Sequence, residues 1–215
     1  MPMPIAHSAA GFAGYLALHD KKSAAPIKQE LFLLGLCLFL ANLPDLDFIP
    51  GFIYGEPGKF HHGPSHSIFI SLLITLICYR LLKNRLKSIA KKRFFVCFLL
   101  ALFSHPLLDF LSEDTSIPFG VPLFWPLDCN YYISSLPFFQ DVQRIDYSVA
   151  SFFPSLLNAN NGLGVIVESL FAGLILFALF GFKNYSKPLR SLSCFLISLI
   201  CGFLYYLLQI RPNLI

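Results

Sequence analysis

The stretch RLLKNRLKSIAKKR, residues 80–93, decides the predicted fold, because it lies between two apolar runs. It carries seven of the sixteen Lys and Arg residues in a chain of 215 residues. The chain is 56% hydrophobic and only 13% charged, with a mean hydropathy of +0.66. Such a composition is typical of a protein whose solvent is the lipid bilayer. A basic connection between two apolar runs is therefore predicted to be a cytoplasmic loop between membrane helices.

Apolar runs occur along most of the chain, at residues 5–19, 31–49, 66–82, 94–112, 163–182 and 189–210. The last two reach the ~20 residues needed to cross about 30 Å of hydrocarbon, whereas the earlier runs are shorter or interrupted by polar residues. We therefore predict an all-α fold class, a polytopic integral membrane helical bundle with about five to six spans and one long extracytoplasmic loop. The predicted regions are a helical membrane region with polar clusters at 1–127, the loop at 128–162, and a carboxy-terminal transmembrane hairpin at 163–215.

The distribution of basic residues predicts the sidedness of the bundle. Thirteen of the sixteen Lys and Arg residues fall at 21–28, 80–93 and 183–190, which are alternate loops if every run crosses. The positive-inside rule places these loops in the cytoplasm and predicts a bacterial cytoplasmic (inner) membrane protein. No basic residue precedes Lys21, so we expect no removable signal peptide. The basic residues form no stripe interleaved with aromatic residues, so we expect membrane lipid, and no nucleic acid, as a partner.

Histidines and aspartates gather in three short clusters that interrupt or flank the apolar runs. The clusters are PDLD (44–47), HHGPSHS (61–67) and SHPLLD (104–109), and His7 stands near the start of the first run. Alternating spans bring all four positions to the extracytoplasmic side. A charged group at the centre of a spanning helix costs on the order of 3 kcal/mol, so gathered imidazoles and carboxylates indicate a bound metal ion.

The spacing within the clusters suits metal ligation. His105 and Asp109 are four residues apart, which places both side chains on one helical face, although Pro106 disfavours helical geometry at His105. The same two residues could instead form a buried hydrogen-bonded pair that fixes helix packing. Gly63 and Pro64 indicate a turn into the third helix, with Ser65 as a candidate N-cap.

The donor types indicate which metal and which reaction the clusters would support. In PDLD, one carboxylate can be a terminal ligand while the other bridges a second ion or orients a histidine, unless both merely cap a helix end. Imidazoles with carboxylates and no CxxC spacing favour zinc or manganese, as one or two ions about 3.5 to 4 Å apart. A carboxylate left free of metal, for which we favour Asp45, could act as a general base in hydrolysis.

The order of the motifs resembles the YdjM-type family of membrane-bound metal-dependent hydrolases. The resemblance covers roughly residues 5–127 and rests on His7, NLPDLD (42–47), HHGPSHS (61–67), SHPLLDF (104–110) and VPLFWP (121–126). The usual wording of the second motif in that family is HRGxTHS, so His62 replaces an arginine and Ser65 a threonine. The resemblance implies that His61 and His66 are ligands and leaves the role of His62 open.

The pattern of an early histidine, an aspartate, a histidine and then HxxxD is also similar to part of the zinc site of bacterial phospholipase C. That similarity implies His7, Asp47, His66, His105 and Asp109 as metal ligands, with Asp109 as a candidate bridge. The later ligands of that fold, two histidines and a glutamate, have no counterpart because no histidine follows His105. A complete three-metal site is therefore not expected.

Residues and resemblance together predict a membrane-embedded metal-dependent hydrolase that acts on a lipid or a lipid-linked ester or phosphodiester at the extracytoplasmic face. A non-enzymatic protein that binds or transports a divalent metal, and a scaffold with a degenerate site, are the alternatives. The apolar lower halves of the runs favour a one-sided site over a transport pathway. The predicted metal ligands are His7, Asp47, His61, His66, His105 and Asp109, with Asp45 as the catalytic residue; supporting roles are considered for His62, Ser65, Ser104, Glu113 and Trp125.

Overall fold

The protein is helical in a computed structural model that describes residues 1–19 and 24–184. Within these ranges no strand forms, and the only bridges are two isolated pairs, Ser112 with Phe139 and Val121 with Tyr132. The all-α prediction is therefore confirmed for the described part of the chain. The helices are α1 (Pro4–Leu18), α2 (Ile27–Ala41), α3 (Phe48–Tyr54), α4 (Ile68–Leu82), α5 (Lys91–Phe110), α6 (Val149–Leu156) and α7 (Ala159–Asn184).

Helix α5 lies at the centre of the bundle and packs against α1, α2 and α4, while α7 packs against α1. Fully buried Phe94, Phe98 and Leu102 of α5 form the middle of the core. Helix α1 approaches α2 closely at Gly11, where a Cβ atom would lie 2.6 Å from the backbone oxygen of Cys37. Glycine is needed there because any side chain would collide with the neighbouring backbone.

Fewer described helices are long enough to cross a membrane than the five to six spans predicted. Lys91–Phe110 and Ala159–Phe180 qualify alone, and α2 qualifies together with Pro44–Tyr54, across a 52° bend. Helices α1 and α4 have 15 residues each and therefore extend about 22 Å, short of the hydrocarbon thickness. The described residues thus contain two or three candidate spans, and the run at 189–210 lies outside the described residues.

Pro106 does not interrupt α5, contrary to the effect expected at His105. The helix continues through the proline to Phe110. Pro106 has no N–H group to donate to the carbonyl of Leu102, four residues earlier. Ser71 of α4 supplies the missing donor, since its hydroxyl donates to that carbonyl at 3.3 Å. This cross-helix hydrogen bond satisfies the backbone, and α5 carries His105 and Asp109 on one continuous helical face.

The turn before α4 also differs from the prediction, because Ser67 rather than Ser65 is the N-cap. The Ser67 hydroxyl accepts a hydrogen bond from the backbone N–H of Phe69 at 3.1 Å. Residues Pro64–His66 form a 3-10 turn instead, which delays the start of the helix. Ser65 is thereby released to contact Asp47.

The long segment between α5 and α6, residues 111–148, folds back over the end of the bundle where the polar clusters lie, and we call it the covering segment. Backbone N–H groups of Ser134 and Phe138 donate to the carbonyls of Phe110 and Leu111 at the end of α5. The N–H group of Ile68 donates to the carbonyl of Leu123 at 3.0 Å and ties the segment to the start of α4. The predicted loop region therefore covers the same end as the candidate ligands.

Candidate metal centre

Five buried side chains from separate segments meet at this end of the bundle, and we call them the inner cluster. His7 is in the first turns of α1, Asp45 in the 3-10 turn after α2, His66 in the turn before α4, and His105 and Asp109 in the last turns of α5. His7, His66, His105 and Asp109 are 0 to 2% exposed. The Asp45 side chain is the most accessible, at 14%. The inner cluster unites His7 with residues from all three histidine and aspartate clusters of the sequence.

The His105 ring is held in one orientation by its backbone partner. Its Nδ1 lies 2.7 Å from the carbonyl oxygen of Ala41, an acceptor, so Nδ1 carries the hydrogen and donates it. This leaves the Nε2 lone pair directed into the cluster, 3.2 Å from Asp109 Oδ2 and 3.3 Å from Asp45 Oδ1. A histidine fixed in this way by a backbone carbonyl is typical of metal ligation.

The His66 ring is also held through its Nδ1 atom, and its Nε2 atom likewise faces the cluster. Its Nδ1 lies 3.1 Å from the Ser65 hydroxyl and 3.3 Å from Asp47 Oδ2. Its Nε2 then faces the Nε2 of His105 at 3.2 Å. When both rings carry hydrogen on Nδ1, two nitrogen lone pairs point at each other, and this arrangement is favourable only when a proton or a metal cation lies between them. Zinc suits such imidazole donors, and manganese suits the neighbouring carboxylates.

The remaining polar atoms of the inner cluster lack hydrogen bonds. Both ring nitrogens of His7 and all four carboxylate oxygens of Asp45 and Asp109 are buried without a hydrogen-bond partner among the described residues. The His7 ring stacks on His105 at 3.9 Å, and its Nε2 lies 3.5 Å from Asp109 Oδ1. Buried carboxylates without partners are costly, so the donor set fits a cation that would bind these atoms.

The ligand atoms are close enough for more than one ion. His7, Asp45 and His105 form one group and His66, His105 and Asp109 another, each with atoms within 4.8 Å of one another. The two groups share His105, so they overlap in space. A third group combines His66 with two other histidines, His61 and His62, in the preceding turn.

Asp47 lies outside the inner cluster and holds the histidine motif in place. Its carboxylate lies 2.9 Å from His61 Nδ1 and accepts the hydroxyl of Ser65 at 3.0 Å. The His61 ring also stacks on Phe48 at 3.9 Å. Asp47 therefore contacts the histidine motif itself and not the carboxylates of Asp45 and Asp109.

The electrostatics around the histidine motif favour positive charge at the inner cluster. Burial lowers the pKa of His61 to about 3, despite its contact with Asp47. Burial also lowers the pKa of His66, but the nearby carboxylates of Asp45, Asp47 and Asp109 outweigh this effect and raise it to about 10. The carboxylates around His66 thus favour a cation at this position.

His62 turns away from the inner cluster toward the covering segment. It adopts a positive φ of 58°, uncommon for a residue with a side chain. Its Nδ1 lies 3.2 Å from Asp114 Oδ2. Burial raises the pKa of Asp114, but hydrogen bonds from His62 and from the backbone N–H groups of Ser116 and Gly120 lower it overall. Asp114 therefore pairs with His62 as a carboxylate.

Three other residues considered for supporting roles have their polar contacts elsewhere. The Ser104 hydroxyl donates to the carbonyl of Ala101 in its own helix at 2.8 Å. The Glu113 side chain is exposed, and the Trp125 carbonyl accepts the Ser67 hydroxyl. Within residues 1–19 and 24–184, no hydrogen bond or ion pair joins these three side chains to a candidate ligand.

Two residues near the centre were not identified as site residues from the sequence. Glu168 of α7 is buried and accepts the backbone N–H groups of Met3 and Ala6 at 2.7 and 3.1 Å, which caps the start of α1. Arg144 is nearly buried in the covering segment, with its guanidinium 5.3 Å from the Phe48 ring. Arg144 is one of only three basic residues outside the three basic stretches, a signal that could have identified it.

The fold and the site define a helical membrane protein whose buried histidines and aspartates could hold a metal ion. The chain matches the model of the YdjM inner membrane protein family over residues 1–209, and it belongs to that family. The resemblance drawn from the motifs is thereby confirmed. Comparison with curated proteins and with solved structures gives no significant match.

Proposed function

We propose that the protein is a membrane-embedded, metal-dependent hydrolase whose inner cluster binds one or two zinc or manganese ions. One observation carries the proposal: two fixed histidine rings face each other beside four carboxylate oxygens that lack hydrogen bonds. A merely structural polar cluster would join these atoms by hydrogen bonds, since buried carboxylates without hydrogen bonds destabilise the fold.

The residues of the centre divide into those that would hold the metal and those that would position them. His7, His66, His105 and Asp109 would be ligands, because each offers a ligand atom within 4.8 Å of others in the cluster. Asp47 would act through His61 and His66, whose Nδ1 atoms lie within 3.3 Å of its carboxylate. This assigns one aspartate of PDLD to orientation, as the sequence analysis allowed.

Asp45 would be the proton acceptor of the reaction. It is the most accessible member of the inner cluster and the only one that lines the neighbouring cavity. When bound, the metal would supply Lewis acidity, which polarises a carbonyl or phosphoryl oxygen and acidifies a water molecule. Asp45 lies on the cavity side of the centre, so it could accept the proton of that water as the water attacks the substrate.

The position of the centre supports a lipid or lipid-linked ester or phosphodiester as substrate and the extracytoplasmic face as its location. The inner cluster is at the end of α5 opposite its basic residues Lys91, Lys92 and Arg93. The positive-inside rule assigns that basic end to the cytoplasm. A site at the opposite end of the bundle would open where lipid head groups lie.

Turnover by purified protein tests this function. Short-chain ester and phosphodiester probes in detergent should be hydrolysed by wild type, and a chelator should abolish turnover until zinc or manganese is returned. Asp45→Asn should lose at least about a hundredfold in rate, the usual contribution of a general base, whereas His19→Ala at the other end of α1 should not. Stoichiometric metal binding without turnover of either probe would favour a non-enzymatic metal-binding protein instead.

A further inference from the structure

A cavity of about 860 Å³ lies beside Asp45, between the covering segment and the starts of α1 and α7. Its walls are mainly apolar, and they include Ile5, Phe48, Phe152, Leu156 and Val165. A volume of roughly 300 to 1,000 Å³ with apolar walls and a few fixed polar groups is typical of a small-molecule site. The shape and chemistry of this cavity suit an apolar chain rather than a polar metabolite.

Among the side chains that line the cavity, Asp45 and Arg144 combine a charge with unused hydrogen-bonding capacity. Asn161, another lining residue, is engaged by the backbone of Gln143 and Leu156. The Arg144 side chain is only 6% exposed, and its Nε donates to Asp146 Oδ1 at 2.8 Å. In the part of the chain that the structure describes, its Nη2 atom donates no hydrogen bond. A buried guanidinium with a free donor fits the oxygen atoms of a phosphate.

The cavity is also placed where a lipid could enter it. Ala159, Gly162 and Val165 line it and belong to the first two turns of the candidate span in α7. Leu157, the residue after α6, also lines the cavity and is 89% exposed, and Phe153 of α6 is 61% exposed. An acyl chain could therefore pass from the bilayer into the cavity without crossing polar surface.

We propose that the cavity receives an acyl chain of a phospholipid, with the phosphate bound by Arg144 next to Asp45. This inference rests on the proposed function and narrows its substrate class to phospholipids. A binding measurement is sufficient to test the inference, because the cavity and Arg144 are present without a bound metal.

Photolabelling of the full chain in lipid nanodiscs tests the acyl-chain site. The probe is a phosphatidylglycerol with a diazirine at the end of one acyl chain, diluted in phosphatidylcholine, and the protein is treated with chelator to prevent turnover. We expect labelled peptides that contain Phe152, Leu156 or Val165. Labelling confined to exposed residues of α7 remote from the cavity, such as Leu170 and Phe177, would overturn the proposal.

Two glycines of α7 provide a matched pair of variants. A Cβ atom added at Gly162 or at Gly173 meets no atom within 4 Å, so both positions have open space for a side chain, but only Gly162 lines the cavity. Gly162→Phe should reduce labelling of the cavity roughly tenfold, equivalent to the displacement of about two buried methylenes, and Gly173→Phe should not. Equal labelling in the two variants would contradict the proposal.

The role of Arg144 is tested by comparison of two probes with the same diazirine chain. Arg144→Met should reduce labelling by the phosphatidylglycerol probe about tenfold, the effect of a lost charged hydrogen bond, but leave labelling by a diacylglycerol probe unchanged. An equal loss with both probes would overturn phosphate recognition by Arg144. Because labelling requires neither metal nor turnover, its failure would leave the hydrolase proposal standing, and absent hydrolysis with a labelled cavity would overturn the hydrolase alone.

Discussion

Two groups of buried polar side chains lie at opposite ends of the bundle, and they differ in how their charges are balanced. At the end where α5 begins, the Glu30 carboxylate accepts hydrogen bonds from both terminal nitrogens of Arg93, at 2.6 and 2.7 Å. Tyr15 donates a third, at 3.1 Å. At the other end, the carboxylates of Asp45 and Asp109 have no hydrogen-bond partner among the described residues. The Glu30 carboxylate is thus hydrogen-bonded within the chain, whereas those of Asp45 and Asp109 have contacts of 3.2 to 3.6 Å with histidine nitrogens and could hold a cation.

The comparison is internal to one set of helices. Arg93 and Asp109 both belong to α5 and are sixteen positions apart, or about 24 Å along the axis. Both groups contain a buried carboxylate and a histidine, although the histidine of the first group, His19, is 31% exposed. Burial of charge alone therefore does not distinguish the two groups. What distinguishes the inner cluster is that several potential ligand atoms lie within 4.8 Å of one another, with carboxylates that lack hydrogen bonds.

The largest effect should come from breaking the ion pair between Arg93 and Glu30. Arg93→Leu leaves the Glu30 carboxylate buried without its main counter-charge and should lower the free energy of unfolding by about 3 to 5 kcal/mol. Denaturant titration in detergent measures this change. The double variant Glu30→Leu, Arg93→Leu is the control, and it should recover most of the loss. A double variant as unstable as the single one would show that the ion pair is not balanced as described.

Metal should stabilise one end of the molecule only. Zinc or manganese at a hundred times its dissociation constant should raise the free energy of unfolding of the chelator-treated protein by about 2.7 kcal/mol. The rise should vanish in His105→Ala and persist in Glu30→Leu, Arg93→Leu. Thermal unfolding with and without metal measures it, and an undiminished rise in His105→Ala would place the metal elsewhere.

Neutralisation of one carboxylate at each end should give unequal results in metal-free protein. Glu30→Gln weakens the hydrogen bonds from Arg93 and should cost about 1.5 to 3 kcal/mol. Asp109→Asn weakens only contacts of 3.2 to 3.5 Å with histidine nitrogens, none of them a hydrogen bond, and should cost less than about 1 kcal/mol while it weakens metal binding. Unfolding titrations of the two chelator-treated variants make the comparison. Equal losses would mean that Asp109 is paired as firmly as Glu30.

The smallest effect concerns the helix that joins the two ends. The Leu102 carbonyl receives no hydrogen bond from Pro106 and accepts the Ser71 hydroxyl instead. Ser71→Ala removes this donor and should lower the free energy of unfolding by about 0.6 kcal/mol. Ser104→Ala is the matched control, because that hydroxyl donates only within its own helix. An identical response of the two variants in denaturant titrations would argue against the role given to Ser71.

The sequence predicts which residues meet at the centre better than it predicts how many helices cross. Basic stretches and apolar runs are long-range signals, and they bring His7, His66 and His105 to one end of the bundle without any knowledge of packing. The number of spans depends on bends and on where helices end. Pro44 bends the second run and α4 begins only after a 3-10 turn, and neither event changes the hydrophobic pattern.

The separate roles of Asp45 and Asp47 could not be predicted, because they depend on side-chain directions in a short 3-10 turn. The two residues are two positions apart in such a turn, so their carboxylates diverge, one toward His105 and the other toward His61. Arg144 was overlooked for a related reason. A single basic residue in a long segment has no periodic pattern, and only the tertiary fold brings it beside the centre.

Metal content of the purified protein tests the central claim most directly. Elemental analysis of wild type, after exchange into metal-free detergent buffer, should find one or two equivalents of zinc or manganese per chain. Glu30→Leu, Arg93→Leu should retain that content, and His105→Ala, Asp109→Ala should lose it. Negligible metal in wild type, or equal content in wild type and in the His105→Ala, Asp109→Ala variant, would contradict a metal centre in the inner cluster.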